Sequence, residues 1–130
     1  MRLLLALHGD MRWIVSLLAV GLIIKNTIGL VQKRPYTILD RQLMIGYAAA
    51  LVLNFALGLV LLFSLPGGFL TSRIEHAVTM VLAILVASSA SRWAKLDEYA
   101  VIYRNNLIVV GISLVLIFVG VMRLRGGWIW

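Results

Sequence analysis

No cysteine occurs among the 130 residues. That excludes disulfides, thiolate metal sites, iron–sulfur clusters, covalently attached c-type haem and thiol redox catalysis. Acid is scarce as well, with five Asp and Glu against twelve Lys and Arg. Only two prolines interrupt the chain, so helix breakers are few. Charged residues make up 13% and hydrophobic residues 62%. A soluble domain of this size has too much surface for its volume to hide that much hydrocarbon, so the expected solvent is lipid. The net charge of +7 lies in short clusters between apolar runs, the pattern of membrane-flanking charge. No stripe of interleaved aromatic and basic residues is present, and no nucleic-acid partner is expected.

What the chain has in abundance is apolar runs long enough to cross a bilayer, which takes about 20 residues each. Four are read, at approximately 5–31, 42–65, 74–92 and 104–123. The connections "QKRPYTILDR", "PGGFLTS" and "RWAKLDEYAVIYR" are short and polar, and Pro35 and Pro66-Gly67-Gly68 break two of them. Short links between long helices predict an all-α integral membrane fold. Residues 1–130 form a single domain, an up-down-up-down bundle of four antiparallel transmembrane helices. Lys25 falls near the end of the first helix, where its stem lets the ammonium reach the headgroups. The first apolar run stops after five residues with no small-residue cleavage site after it, and reads as mature chain rather than signal peptide.

An even number of crossings puts both termini on one side. That side carries Arg2, Arg12, Arg73, Arg123 and Arg125, while the other carries Lys25, Lys33, Arg34, Arg41, Arg92, Lys95 and Arg104. The positive-inside rule makes the richer side cytoplasmic and the termini non-cytoplasmic. Trp128 and Trp130 are expected at the terminal-side interface, where indoles settle.

Two helix faces carry small residues. Gly46, Ala50, Asn54 and Gly58 form one, and Met80, Ala83, Ala87 and Ser91, running on from His76, form the other. Such stripes let helices approach closely where no hydrophobic drive brings them together, and the same smallness leaves room for a flat cofactor. Both faces are expected to turn inward or toward a partner helix.

The stretch "LHGDMRW", residues 7–13, places polar groups inside the first apolar run. His8 and Arg12 are four apart and share a helical face, as do Arg73 and His76, three apart. With four crossings, the only two histidines lie at the same membrane face, each beside an arginine. Neutral imidazoles from facing helices are good axial ligands for a haem in a bundle core, and arginine suits the geometry of its propionates. The candidate metal ligands are therefore His8 and His76, for haem iron only, with Arg12 and Arg73 as propionate partners. Asp10 and Glu75 are candidates to orient the rings. Against this stands a plainer reading, in which the cluster is an interfacial hydrogen-bond network and the arginines hold lipid phosphate.

The succession "LHGDMRW", "KRPYTILDRQL", "RIEHAVTM", a basic loop, a last helix and a terminal tryptophan resembles small four-helix bacterial membrane proteins commonly labelled cytochrome b-like. The resemblance covers nearly the whole chain, though its motifs are short. His8, Arg12, Asp40, Glu75 and His76 stand where that family's recurrent residues stand. Ala77 replaces a proline that often follows the second histidine, and "ALVLNFALG" and "VASSASR" lack further histidines found in relatives. The resemblance implies a multi-pass protein of the bacterial inner membrane with one b-type haem at most.

Two function classes compete. In the first, the chain is a subunit of a respiratory or photosynthetic electron-transfer complex, holding one bis-histidine haem b between His8 and His76. In the second it is a structural or assembly subunit that binds no cofactor and acts by helix packing. Both give it the bilayer and other membrane subunits as partners. A transporter fits poorly, because Asp10 and Glu75 sit near helix ends and Asp40, Asp97 and Glu98 read as loop residues. No nucleophile–base pair has an orienting third group, so no catalytic activity of its own is expected. The charge asymmetry predicts that a cysteine placed at Lys95 resists a membrane-impermeant thiol reagent on intact cells, while one at Gly127 reacts. The reverse labelling pattern refutes the orientation.

Overall fold

The computed structural model describes residues 1–125; Trp128 and Trp130 lie outside the described residues. Four α-helices account for most of the chain: α1 Arg2–Val31, α2 Ile38–Ser64, α3 Thr71–Ser88 and α4 Tyr99–Arg125. A one-turn 3₁₀ segment, Ser89–Arg92, extends α3. No strand occurs among the described residues. All four helices are long and apolar enough to cross a membrane. Each packs on its neighbours in sequence, and α1 closes against α4, so the four form a ring around one core.

The helices run further than the apolar runs alone predicted. The clearest case is α2, which begins at Ile38 rather than near residue 42. Thr37 caps it: its hydroxyl accepts from the Asp40 N–H, and the Asp40 carboxylate accepts from the Thr37 N–H at 2.7 Å. This reciprocal box satisfies two backbone donors that a helix start otherwise leaves open. Asp40, read as a loop residue, is thus a buried member of the first turn of α2. Lys25 does not reach out to solvent alone; its ammonium sits 2.8 Å from Asp40.

The core is a narrow line of small and medium side chains. Val15, Ala19 and Leu22 of α1, Tyr47 and Leu51 of α2, Ala83 and Ala87 of α3, and Val110 and Ile117 of α4 are all buried. The outer faces are hydrocarbon too, with Leu17, Val31 and Phe63 each more than 70% exposed. Apolar surface on every side is what a helix carries when its solvent is apolar.

Polar side chains inside this core find one another across helices. Asn106 is almost fully buried. Its amide donates to Asn26 Oδ1 and to the Tyr36 hydroxyl, each at 3.1 Å, and its oxygen accepts from the Trp93 indole at 2.9 Å. Burial pushes the Tyr36 phenol above its ordinary range, which keeps it neutral. Tyr103 donates to the Pro35 carbonyl and leaves Gly29 no room for a side chain. Midway along the bundle, Tyr47 and Ser113 hydrogen-bond at 2.7 Å. Each contact is available at one helix register only, so together they lock α1, α2 and α4 against sliding.

These contacts differ in what they leave behind when broken. Asn106→Ala strands the Asn26 oxygen and the Trp93 N–H, and is expected to lower stability by about 1–3 kcal/mol. Tyr47→Phe leaves Ser113 still bonded to the Val110 carbonyl and is expected to cost only about 0.6 kcal/mol. Denaturant titration in detergent micelles, followed by circular dichroism, measures both. Equal losses would show that the Asn106 cluster carries no special weight.

Candidate functional site

The far end of the bundle brings together residues that sequence alone could only pair by topology. His8, two turns into α1, and His76, in the second turn of α3, face each other with ring centroids 6.3 Å apart and planes at 87°. Both are partly buried.

Each ring rests on a glycine of a neighbouring helix. His8 Nδ1 lies 3.0 Å from the Asn54 backbone oxygen. Within α2 that carbonyl belongs to the turn that ends at Gly58, four residues on, and it keeps a second lone pair for an outside donor. Gly58 uncovers it, because a Cβ there would stand 3.0 Å from His8 Cε1. The bond requires the Nδ1–H tautomer, which leaves Nε2 of His8 with a free lone pair. His76 packs in the same way on Gly120 of α4, which is buried. A Cβ at Gly120 would collide with Thr79 Oγ1, come within 2.8 Å of Met80 Cε and reach 3.3 Å from His76 Nδ1. His76 Nδ1 and Asn54 Oδ1 are buried with no hydrogen-bond partner of acceptable geometry among the described residues.

A cavity of about 170 Å³ adjoins both rings. That is close to the roughly 150 Å³ of an apolar cavity able to take up a small aromatic molecule. Leucine, isoleucine, valine, methionine and phenylalanine side chains form most of its wall, Gly9, Gly58 and Ala77 leave space beside the histidines, and Arg12, Arg73 and Arg125 add three cations from three helices. No carboxylate among the described residues lines it. Among the described residues no group of three or more His, Asp or Glu side chains could hold a metal ion. Two imidazoles alone suit a metal that arrives with its remaining ligands, as haem iron does in its macrocycle.

The sequence-predicted residues divide on inspection. His8, His76, Arg12 and Arg73 all line the one cavity. Arg12 also lies against the Trp13 ring, 5.3 Å from its centroid. Arg73 lines the cavity while its guanidinium donates to the Pro66 and Gly68 carbonyls at 3.1–3.2 Å, tying down the α2–α3 turn. The two carboxylates proposed as ring orienters are placed elsewhere. Glu75 takes a two-pronged bond from Arg123 at 2.9 and 3.0 Å, and Asp10 is exposed. A backbone carbonyl does for His8 what Asp10 was expected to do. The small-residue face of α2 also splits. Gly58 and Asn54 belong to the site, while Gly46 is exposed with nothing near it. Sequence reading missed Gly120 and Arg125, both on a helix with no histidine to draw attention. The Asn54–Gly58 spacing of one helical turn was the available signal for an uncovered carbonyl.

Compared with protein-family models, curated proteins and solved structures, the chain matches none.

The two glycine environments predict opposite outcomes for the same change. Gly120→Ala forces a methyl group into Thr79 and Met80 and is expected to cost about 1–3 kcal/mol through overpacking. Gly46→Ala meets open space and should leave stability unchanged or raise it by up to about 1 kcal/mol, from helix propensity. Thermal unfolding in detergent compares the two, and a neutral Gly120→Ala would contradict the close seat of α3 on α4.

Proposed function

We propose that the chain is a small multi-pass subunit of a bacterial electron-transfer complex, with its four helices antiparallel across the inner membrane and both termini outside the cytoplasm. In this reading His8 and His76 would hold the iron of one b-type haem. The observation that carries the proposal is the 6.3 Å between the imidazole centroids. Two metal–nitrogen bonds of about 2 Å, plus about 1 Å from each nitrogen to its ring centre, sum to about 6 Å.

The remaining features suit an apolar ligand with anionic groups, although a haem is larger than the cavity of about 170 Å³ and the helices would have to part to admit one. The Asn54 carbonyl holds His8 in the tautomer whose Nε2 can donate to a metal. The leucine-rich wall is apolar, and the arginines at the cavity offer guanidinium groups suited to a pair of propionates. A bound haem would supply a one-electron iron couple near one membrane face. The chain's own part is to hold the ligand nitrogens in place, neutralise the carboxylates and keep the surroundings apolar. Its resemblance to cytochrome b-like four-helix proteins points the same way, and its exposed apolar helices offer surface to lipid and to other subunits.

The test is a dithionite-reduced-minus-oxidised absorbance spectrum of protein purified from haem-replete bacterial membranes. Wild type should show a b-type spectrum at one haem per chain. His8→Ala and His76→Ala should each abolish it while the protein stays in the membrane fraction. A haem-free wild type, or variants that keep the spectrum, would refute the assignment and leave the cofactor-free packing subunit.

A further inference from the structure

A second cavity, of about 300 Å³, opens between α2 and α3 toward the end of the bundle away from the histidines. Ala48 and Ala49 of α2, Ala87 of α3 and Ala90 of the 3₁₀ segment that follows it form much of its wall. Arg41, in the first turn of α2, lines its outer end. Along α2 the lining continues to Val52. Eleven residues at 1.5 Å each span about 16 Å. Half of a hydrocarbon core about 30 Å thick is about 15 Å. The groove therefore has the depth of one leaflet, with a cation where that leaflet's headgroups would lie.

The charge at that end is unbalanced. The ion pairs among the described residues are Lys25–Asp40 and Glu75–Arg123. Arg41 is exposed and belongs to neither, and Lys33, Arg34, Arg92 and Lys95 are exposed around the same end, outnumbering the exposed Asp97 and Glu98 there. A transmembrane helix from a partner would need a seam running the full thickness. This groove stops near mid-depth and has an arginine at its head, which fits a molecule with one anionic end and one long apolar tail. We propose that it binds an anionic glycerophospholipid, with one acyl chain along the alanine wall and the phosphate on Arg41. The inference rests on the membrane placement proposed above and is independent of haem.

The experiment reconstitutes the whole protein into phosphatidylcholine vesicles carrying a trace of either phosphatidylglycerol or phosphatidylcholine spin-labelled on an acyl chain. Flotation confirms insertion, and electron paramagnetic resonance reads the immobilised fraction. Wild type should retain phosphatidylglycerol about fivefold better than phosphatidylcholine. Arg41→Gln should equalise the two lipids. Ala49→Trp, at an exposed wall position, should fill the groove and lower retention of both. A protein that does not float overturns the membrane reading along with this one. A protein that floats but retains both lipids equally, or is indifferent to Ala49→Trp, overturns the lipid site alone.

Discussion

The contact between His8 and the Asn54 carbonyl fixes more of this structure than any apolar contact does. An imidazole surrounded by hydrocarbon must satisfy its N–H inside the protein, since an unpaired buried donor costs about 1–3 kcal/mol. In a helical bundle nearly every backbone carbonyl is already engaged and shielded by the side chain one turn on. Gly58 removes that shield at one place. The position of His8 along α2 follows from it, and so does the face of α1 that turns inward. The tautomer follows too, and with it the nitrogen left with a free lone pair.

The same constraint organises the other end with different chemistry. There the amides of Asn26 and Asn106, the Tyr36 hydroxyl and the Trp93 indole satisfy one another, while Lys25 and Asp40 form a close pair beside the Thr37 cap. Tyr47 and Ser113 stand between the two ends. On α2 the residues Asp40, Tyr47 and Asn54 recur every seven positions, as do Asn106, Ser113 and Gly120 on α4. Two helical turns separate successive inward-facing positions of a seam. Polar groups thus set the register of the bundle, and the small apolar residues between them allow the close approach. Among the described residues, the cluster at the histidines keeps His76 Nδ1 and Asn54 Oδ1 buried without a hydrogen bond of acceptable geometry. That incompleteness separates the histidine end from the amide end, which is closed on itself.

Much of this was readable from composition. Apolar runs and charged punctuation give four helices, and an even count places His8 and His76 at one end. The limits were local. Helix starts extended beyond the apolar runs because capping by Thr37 and Asp40 recruits polar residues into the first turn of α2. Asp10 and Glu75 were natural candidates to orient the imidazoles, because a carboxylate is the obvious acceptor. A backbone carbonyl freed by a glycine has no residue type of its own and leaves only the Asn54–Gly58 spacing as a trace. Gly46 and Gly58 looked alike as members of one stripe. Twelve residues amount to about 1200° of helical rotation, some 120° beyond whole turns, enough to put Gly46 outside and Gly58 under His8.

The central proposal is that His8 and His76 would hold one haem iron, and the angle between their planes gives it a signature. If both rings kept their 87° angle on an iron, they would act on perpendicular iron orbitals and leave the two upper members of the low-spin set nearly equal in energy. The low-temperature electron paramagnetic resonance spectrum of the oxidised, haem-loaded protein is then predicted to show a single, strongly anisotropic low-spin signal. A high-spin ferric signal would mean that one histidine does not reach the iron, and a protein that carries no haem signal at all would contradict the account outright.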